Sequence, residues 1–187
     1  MIIRTATIND AKALLNIYSY YVENTAVSFE YTTPTLTEFQ NRIQTTLTRY
    51  PYLVAEDEGE IIGYCYVGQL RSRAAFCHSV ETSIYIDKTK HKKGIGRLLY
   101  SRMEEILMKM NITNMYACII YPKVEDKYLN FNSYLFHQKL GFKKIAEFTD
   151  CGLKFNNWYN MIFMEKIIAP HKKDIGEVIP FPSLSDY

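Results

Sequence analysis

No stretch of this chain approaches the roughly 20 consecutive apolar residues that a membrane-spanning helix requires, so no membrane partner is expected. Its four cysteines, Cys65, Cys77, Cys118 and Cys151, contain no CxxC pair, and the opening "MIIRTATIND" lacks the apolar run of a secretion signal. Reduced thiols in a cytoplasmic protein are the expectation, with the cysteines serving as small buried hydrophobes and no metal bound. Charge of one sign is also missing. Twenty-two basic residues face 20 acidic ones, and the aromatic residues are scattered through apolar segments rather than interleaved with a basic patch. Nucleic acid is therefore excluded as a partner, and any anion site has to be local. No Walker A pattern occurs, and "GIGRLL" fails the dinucleotide fingerprint because Leu99 occupies its last small-residue position, which argues against ATP and nicotinamide cofactors.

What is present is a chain of 187 residues, 48% hydrophobic, enough for one domain with a substantial core. "MIIRTA" reads as a strand. Thr7 with Asp10 then resembles a capping box ahead of a helix with Ala11, Leu14, Leu15, Tyr18 and Val22 on one face. After the loop "ENTAVSFEYTTP", Thr35 and Glu38 repeat the cap for a second helix that stops before Pro51. "YLVAED" and "EIIGYCYVGQL" form a hairpin across acidic residues and Gly59, "VETSIYI" and "NMYACIIY" are strands, and a helix within "YPKVEDKYLNFNSYLFHQKLGF" ends near Gly141. "FKKIAEFTD" and "NWYNMIFMEK" close residues 1–167 as strands. Residues 168–187, with prolines at 170, 180 and 182, read as an irregular tail packed on the domain. The expected fold class is α/β (α+β): a mixed, mostly antiparallel sheet of about seven strands flanked by about four helices.

The corner "DKTKHKKGIGRLL" joins a strand to a helix whose Leu99, Met103, Ile106 and Met110 share an apolar face. Packing of that face fixes the helix start, where unpaired N–H groups and the positive end of the dipole attract an anion. Gly94 and Gly96 leave the backbone open to close approach, and Lys92, Lys93 and Arg97 add positive charge. The corner suits a pyrophosphate.

"HKKGIG" in this context resembles the coenzyme A pyrophosphate loop of the GNAT superfamily of N-acetyltransferases. The segments "IYSYYVENTAVSFE", "RYPYLVAEDEGEIIGYCYVG", "VETSIYID", "HQKLGF" and "NNWYNMIFME" resemble its phosphinothricin and methionine sulfoximine acetyltransferase branch, over about residues 2 to 167. The resemblance implies acetyl-CoA as cosubstrate. It also implies that the backbone of Ile84, Tyr85 and Ile86 meets the pantetheine arm, that Lys92, Lys93, Gly94, Ile95, Gly96 and Arg97 cradle the pyrophosphate, and that Asn130 and Ser133 form the N-x-x-S helix start near pantetheine. It further implies a homodimer.

Acetyl transfer to an amine needs a base for the alkylammonium, a donor for the developing oxyanion and an acid for the thiolate. Glu81 matches the family's catalytic glutamate, and strand alternation puts it on one face with Ser83 and Tyr85. His137 stands where many GNAT enzymes carry a tyrosine acid; an imidazole either donates a proton there or ties helix to sheet by hydrogen bonds, and Tyr85 is the rival acid. On the acceptor side, Arg71 and Arg73 match basic residues that meet an anionic group, and Phe29 and Glu30 match the loop between the first two helices. Phe76 stands where a tyrosine is common, and Asn156 and Asn160 where glycine and aspartate are. The expected activity is acetyl-CoA-dependent acetylation of a small amino-acid-like amine of the phosphinothricin or methionine sulfoximine type. The alternatives are a protein N-terminus or a polyamine as acceptor, or a non-catalytic acyl-CoA-binding module.

Overall fold

The computed structural model describes residues 1–90 and 94–184. Strand β1 (Ile2–Thr5) leads through a single 3-10 turn, Ile8–Asp10, into α1 (Ala11–Asn24). The Asp10 carboxylate accepts the Thr7 N–H at 2.7 Å, so the capping pattern read at Thr7 is present, with a tighter first turn than expected. Helix α2 (Leu36–Leu47) starts on a full capping box: Thr35 Oγ1 accepts from the Glu38 N–H at 3.2 Å, and the Glu38 carboxylate accepts from the Thr35 N–H at 2.7 Å.

Strands β2 (Tyr52–Asp57) and β3 (Glu60–Gln69) form the anticipated hairpin, turning at Glu58 and Gly59 with φ of 52° and 82°. That pair of left-handed residues gives the turn a twist matching the strands. Then follow β4 (Ser79–Ile86), α3 (Ile95–Lys109), β5 (Asn114–Tyr121), α4 (Asn132–Lys139), β6 (Lys143–Lys154) and β7 (Asn157–Ile167). Strand β6 runs further than "FKKIAEFTD" suggested. Its turn falls at Phe155 and Asn156, both left-handed without being glycine, which hides the hairpin from a glycine-based reading.

The described strands make one sheet in the order β1-β2-β3-β4-β5-β7-β6, and every neighbouring pair is antiparallel except β4 with β5. Two cores sandwich it. Helix α3 presses Leu99, Met103, Ile106 and Leu107 against Val80, Ile162 and Met164; on the opposite face, Leu14, Tyr18, Val22, Phe39 and Ile43 of α1 and α2 cover Tyr52, Val54 and Tyr64. The segment after β7 is more than a surface strap. Phe181, 2% exposed, enters the α3 core, and its N–H donates to the Arg49 carbonyl at 2.9 Å. A lone apolar residue between two prolines has no period by which to announce itself.

Thr35→Ala removes the α2 cap and should cost about 1 kcal/mol of stability, measured by urea denaturation; an unchanged midpoint would show that the cap is not what starts this helix.

Candidate active site

The two parallel strands part company. Pairing between β4 and β5 covers Ser79 with Asn114 through Thr82 with Ala117 and goes no further. Each strand keeps its outer neighbour: β3 stays paired with β4 up to Gly63 opposite Ile86, and β7 with β5 up to Asn160 opposite Tyr121. The inner edges of Ser83–Tyr85 and Cys118–Ile120 therefore face one another without a shared ladder, as the walls of a cleft. Val27 from the loop after α1 and Ser133 and His137 from α4 complete its lining. Main-chain groups exposed along such an edge seek a partner, and an extended amide-bearing arm supplies one.

Alternation along β4 sorts its side chains onto two faces. Ile84 lies under α3, while Tyr85 turns to α1 and meets the rings of Tyr18, Tyr21 and Tyr64 at centroid distances of 5.0, 5.3 and 5.4 Å. Glu81 shares the Tyr85 face and stands level with Gly68 and Tyr116, at the head of the cleft. Burial pushes its carboxyl above the ordinary carboxylate range, and the positive charge of Arg71 partly opposes the shift.

Helix α3 begins at Gly94, whose φ of 76° and ψ of 3° favour glycine and beside which the space is open. Gly96 has a different reason for being glycine. A Cβ there would stand 2.8 Å from the Phe136 ring of α4 and 3.4 Å from Ile84, so its smallness brings α3, α4 and β4 together, where the sequence had suggested close approach of a phosphate. Ile95 is buried in the core, and Arg97 is exposed. Lys92 and Lys93 lie outside the described residues.

His137 is 3% exposed and spends both ring nitrogens: Nδ1 lies 2.7 Å from the Ser133 carbonyl oxygen and Nε2 3.0 Å from Tyr100 Oη. Burial pushes the imidazole down to about 4, so it is neutral at pH 7. Asn130 is exposed and its Oδ1 accepts the Asn132 N–H at 3.0 Å at the start of α4; Ser133 lines the cleft and Asn130 does not.

The end of α1 and the loop after it are held by a lysine that sequence reading passed over. Lys154 is 3% exposed, and its Nζ donates to the carbonyls of Val22, Thr25 and Ser28 at 2.7, 2.9 and 2.6 Å. In a strand pattern such a lysine reads as solvated, and nothing nearby in sequence marks its three acceptors. Beside it, Gly152 leaves room for the Phe29 ring, which would overlap any side chain at that position, and Tyr31 donates its hydroxyl to the Leu153 carbonyl. Glu30 pairs with Arg42 at 2.7 Å. Arg71 lies over the Phe163 ring, 5.6 Å from its centroid and within the field of Glu81, whereas Arg73 is exposed ahead of the short turn Ala74–Phe76. Ile86 ends β4, and its carbonyl accepts the Tyr21 hydroxyl at 2.5 Å.

An open strand edge leading from a helix start to a half-buried carboxylate has the form of a seat for a long, phosphate-bearing molecule laid along the sheet. Residues 3–163 match the family model described as Acetyltransferase (GNAT) domain, and the chain belongs to that family, as an acetyl-CoA-dependent N-acetyltransferase of the GNAT type. It is 34% identical over 169 residues to the L-amino acid N-acyltransferase MnaT of Escherichia coli, covering 88% of this chain and 92% of the relative. It is 32% identical over 175 residues to the L-methionine sulfoximine/L-methionine sulfone acetyltransferase of Salmonella typhimurium, covering 91% and 96%. Among solved structures, a phosphinothricin acetyltransferase from Sinorhizobium meliloti in complex with acetyl-CoA superimposes with a TM-score of 0.81 at 31% identity, covering 89% of this chain and 87% of that one.

Lys154→Met strands three carbonyls beside an apolar side chain and should cost at least about 2 kcal/mol; a loss below about 0.5 kcal/mol, the range of ordinary surface substitutions, in chemical denaturation would mean that water satisfies them.

Proposed function

We propose that this enzyme acetylates the amino group of a small amino-acid-like acceptor by direct transfer in a ternary complex, with Glu81 as the base. The observation that carries the reading is the position of Glu81: a carboxyl raised by burial, at the closed end of the β4–β5 cleft and on the face turned to the acceptor loop. Acetyl-CoA supplies an activated acetyl thioester. The residues present suit it: the unpaired edge of Ser83–Tyr85 for the pantetheine amides, Gly94 and the N-terminus of α3 for the pyrophosphate, and Ser133 on the opposite wall.

The acceptor arrives as an ammonium ion, and Glu81, directly or through water, takes its proton. Main-chain N–H groups near Tyr85 offer donors where negative charge develops. For the proton returned to the leaving thiolate, Tyr85 is the better of the two candidates. Tyr85 belongs to the cleft lining and burial keeps its phenol protonated, whereas His137 is neutral and hydrogen-bonded at both nitrogens. His137 then orients α4 against Tyr100. Arg71, close enough to Glu81 to lower its carboxyl, suits the acceptor's carboxylate, with Arg73 further out. Phe29 and Glu30 shape the acceptor loop.

Homodimerisation belongs to the same reading. Leu153 and Trp158, paired across the β6–β7 hairpin, are 43% and 59% exposed, an apolar patch of the kind a second copy covers. Free thiols at all four cysteines suit a reducing cytoplasm.

Glu81→Gln should lower kcat/KM by roughly 100- to 10,000-fold, read as coenzyme A thiol release; a rate within a few-fold of the parent would remove Glu81 from the mechanism. Because the base works only when ionised and burial raises its pKa, kcat/KM should fall as the pH drops through a value above the unperturbed glutamate pKa of about 4.3. That limb should be absent from the Gln variant. Light scattering at micromolar concentration should return twice the 21.9 kDa chain mass, and Trp158→Glu should halve it; a monomeric parent would refute the dimer.

A further inference from the structure

Phe163 is out of place for an aromatic residue in the middle of a sheet. Its neighbours Ile162 and Met164 are buried in the α3 core, so alternation puts its ring on the Glu81 face, yet it belongs to none of the three buried clusters and packs against none of them. Lying over it is Arg71, whose guanidinium carbon stands 5.6 Å from the ring centroid. We propose that Phe163 is a positioning residue for the acceptor: its ring holds the Arg71 guanidinium above the Glu81 face, ready for the α-carboxylate of a free amino acid. The inference rests on the readings of Glu81 as base and Arg71 as carboxylate partner, and it narrows the acceptor to α-amino acids whose carboxylate is unblocked.

The sheet register brings the parts together. Phe163 stands opposite Cys118 on β5, and Glu81 stands opposite Tyr116, the residue before Cys118 on the same face. With neighbouring strands roughly 4.8 Å apart, Glu81, Cys118 and Phe163 form one patch across β4, β5 and β7. Arg71 comes from the connection between β3 and β4, and its positive charge reaches both Glu81 and Cys118, so the guanidinium overhangs the patch. Phe148 of β6 meets the Phe163 ring in a T-shaped contact, with centroids 6.0 Å apart and planes at 67°, and steadies it from the other side.

The charge of Arg71 is uncommitted. Its Nη1 donates to the Leu70 carbonyl at 2.6 Å, and among the described residues no carboxylate lies within ion-pair distance of it, whereas Arg4, Arg42 and Arg102 each hold one. A guanidinium laid over a ring is attracted by the negative ring face and still presents its in-plane N–H groups to an anion. An α-amino acid carries its ammonium and its carboxylate on one carbon, so it engages a base and a neighbouring free cation together. A polyamine offers the cation nothing, and a peptide N-terminus puts a neutral amide there. Neither makes use of the ring-held guanidinium.

The test is coenzyme A thiol release by the full chain with acetyl-CoA and the common L-amino acids or methionine sulfoximine, each as the free acid and as its primary amide. At least one free acid should exceed its amide in kcat/KM by about tenfold or more, the worth of a hydrogen bond between charged groups. For that amino acid, Phe163→Leu and Phe163→Met should each raise the acceptor KM about threefold or more, leave kcat and the acetyl-CoA KM within about twofold, and spare the amide. Phe163→Tyr, which keeps the ring, should behave as the parent, and in an Arg71→Gln background Phe163→Leu should add nothing further. Circular dichroism melting checks that each variant folds. An equal loss with acid and amide, or a Phe163→Leu effect that persists without Arg71, shows that the ring only packs and overturns the proposal. So does a preference for free acids that both ring-deleting variants leave unchanged, or amides accepted as well as acids; acetyl transfer with Glu81 as base survives those results. Release with no amino acid at all, from protein that binds acetyl-CoA by calorimetry, brings down both.

Discussion

Everything functional in this molecule depends on where two parallel strands stop pairing. Beyond Thr82 and Ala117, the main chains of β4 and β5 forgo each other's hydrogen bonds, a loss a folded domain tolerates only where another partner takes them up. The outer ladders make the parting mechanically possible. With β3 gripping β4 and β7 gripping β5 along their lengths, each half of the sheet stays rigid while the seam between them opens. A helix must bridge parallel neighbours in any case, and here that helix, α3, starts at the mouth of the seam. One topological choice therefore aligns an extended edge, a helix N-terminus and, at the closed end, Glu81.

Lys154 shows how the second half of the site is held. A buried ammonium is costly unless its donors are matched, and its three carbonyl partners match them without a carboxylate in hydrogen-bond contact. Desolvation lowers its pKa, and the negative charge of Glu30 partly restores it. Those carbonyls belong to the end of α1 and the segment after it, so the loop carrying Val27, Phe29 and Glu30 is fastened to the β6–β7 hairpin as well as to its own helices, which it meets through Ser28 with Tyr18 at 2.8 Å and Glu30 with Arg42 at 2.7 Å. The loop after α1 is thus positioned in part by a stretch of chain more than a hundred residues away.

That distance marks the limit of what the sequence disclosed. Local signals were legible: both capping pairs, the Glu58–Gly59 turn and the apolar stripe of α3 each declare themselves within a few residues, and seven strands and four helices follow from them. The roles proposed for Glu81 and Ser133 came through resemblance to a family, whereas the order of the strands in the sheet was not read at all. Long-range facts were not legible. Lys154, the burial of Phe181 and the packing role of Gly96 against Phe136 depend on which surfaces meet after folding. His137 combines the two cases. Its position on the helix was readable, but its commitment to Tyr100 and the Ser133 carbonyl, which decides its protonation, was not.

Strand alternation has one more consequence for the enzyme. Because neighbouring residues of β4 point to opposite faces, Ile84 is tied to α3 while Glu81, Ser83 and Tyr85 share the face of α1, α2 and the tyrosine row, which the proposed reading gives to the acceptor. Relatives about one-third identical over nearly their whole length bear names that keep acyl transfer constant and differ in the acceptor, from L-amino acids to methionine sulfoximine. Under the proposed reading, a change of acceptor calls for repacking within the face covered by α1 and α2, a smaller demand than rebuilding the β4–β5 cleft.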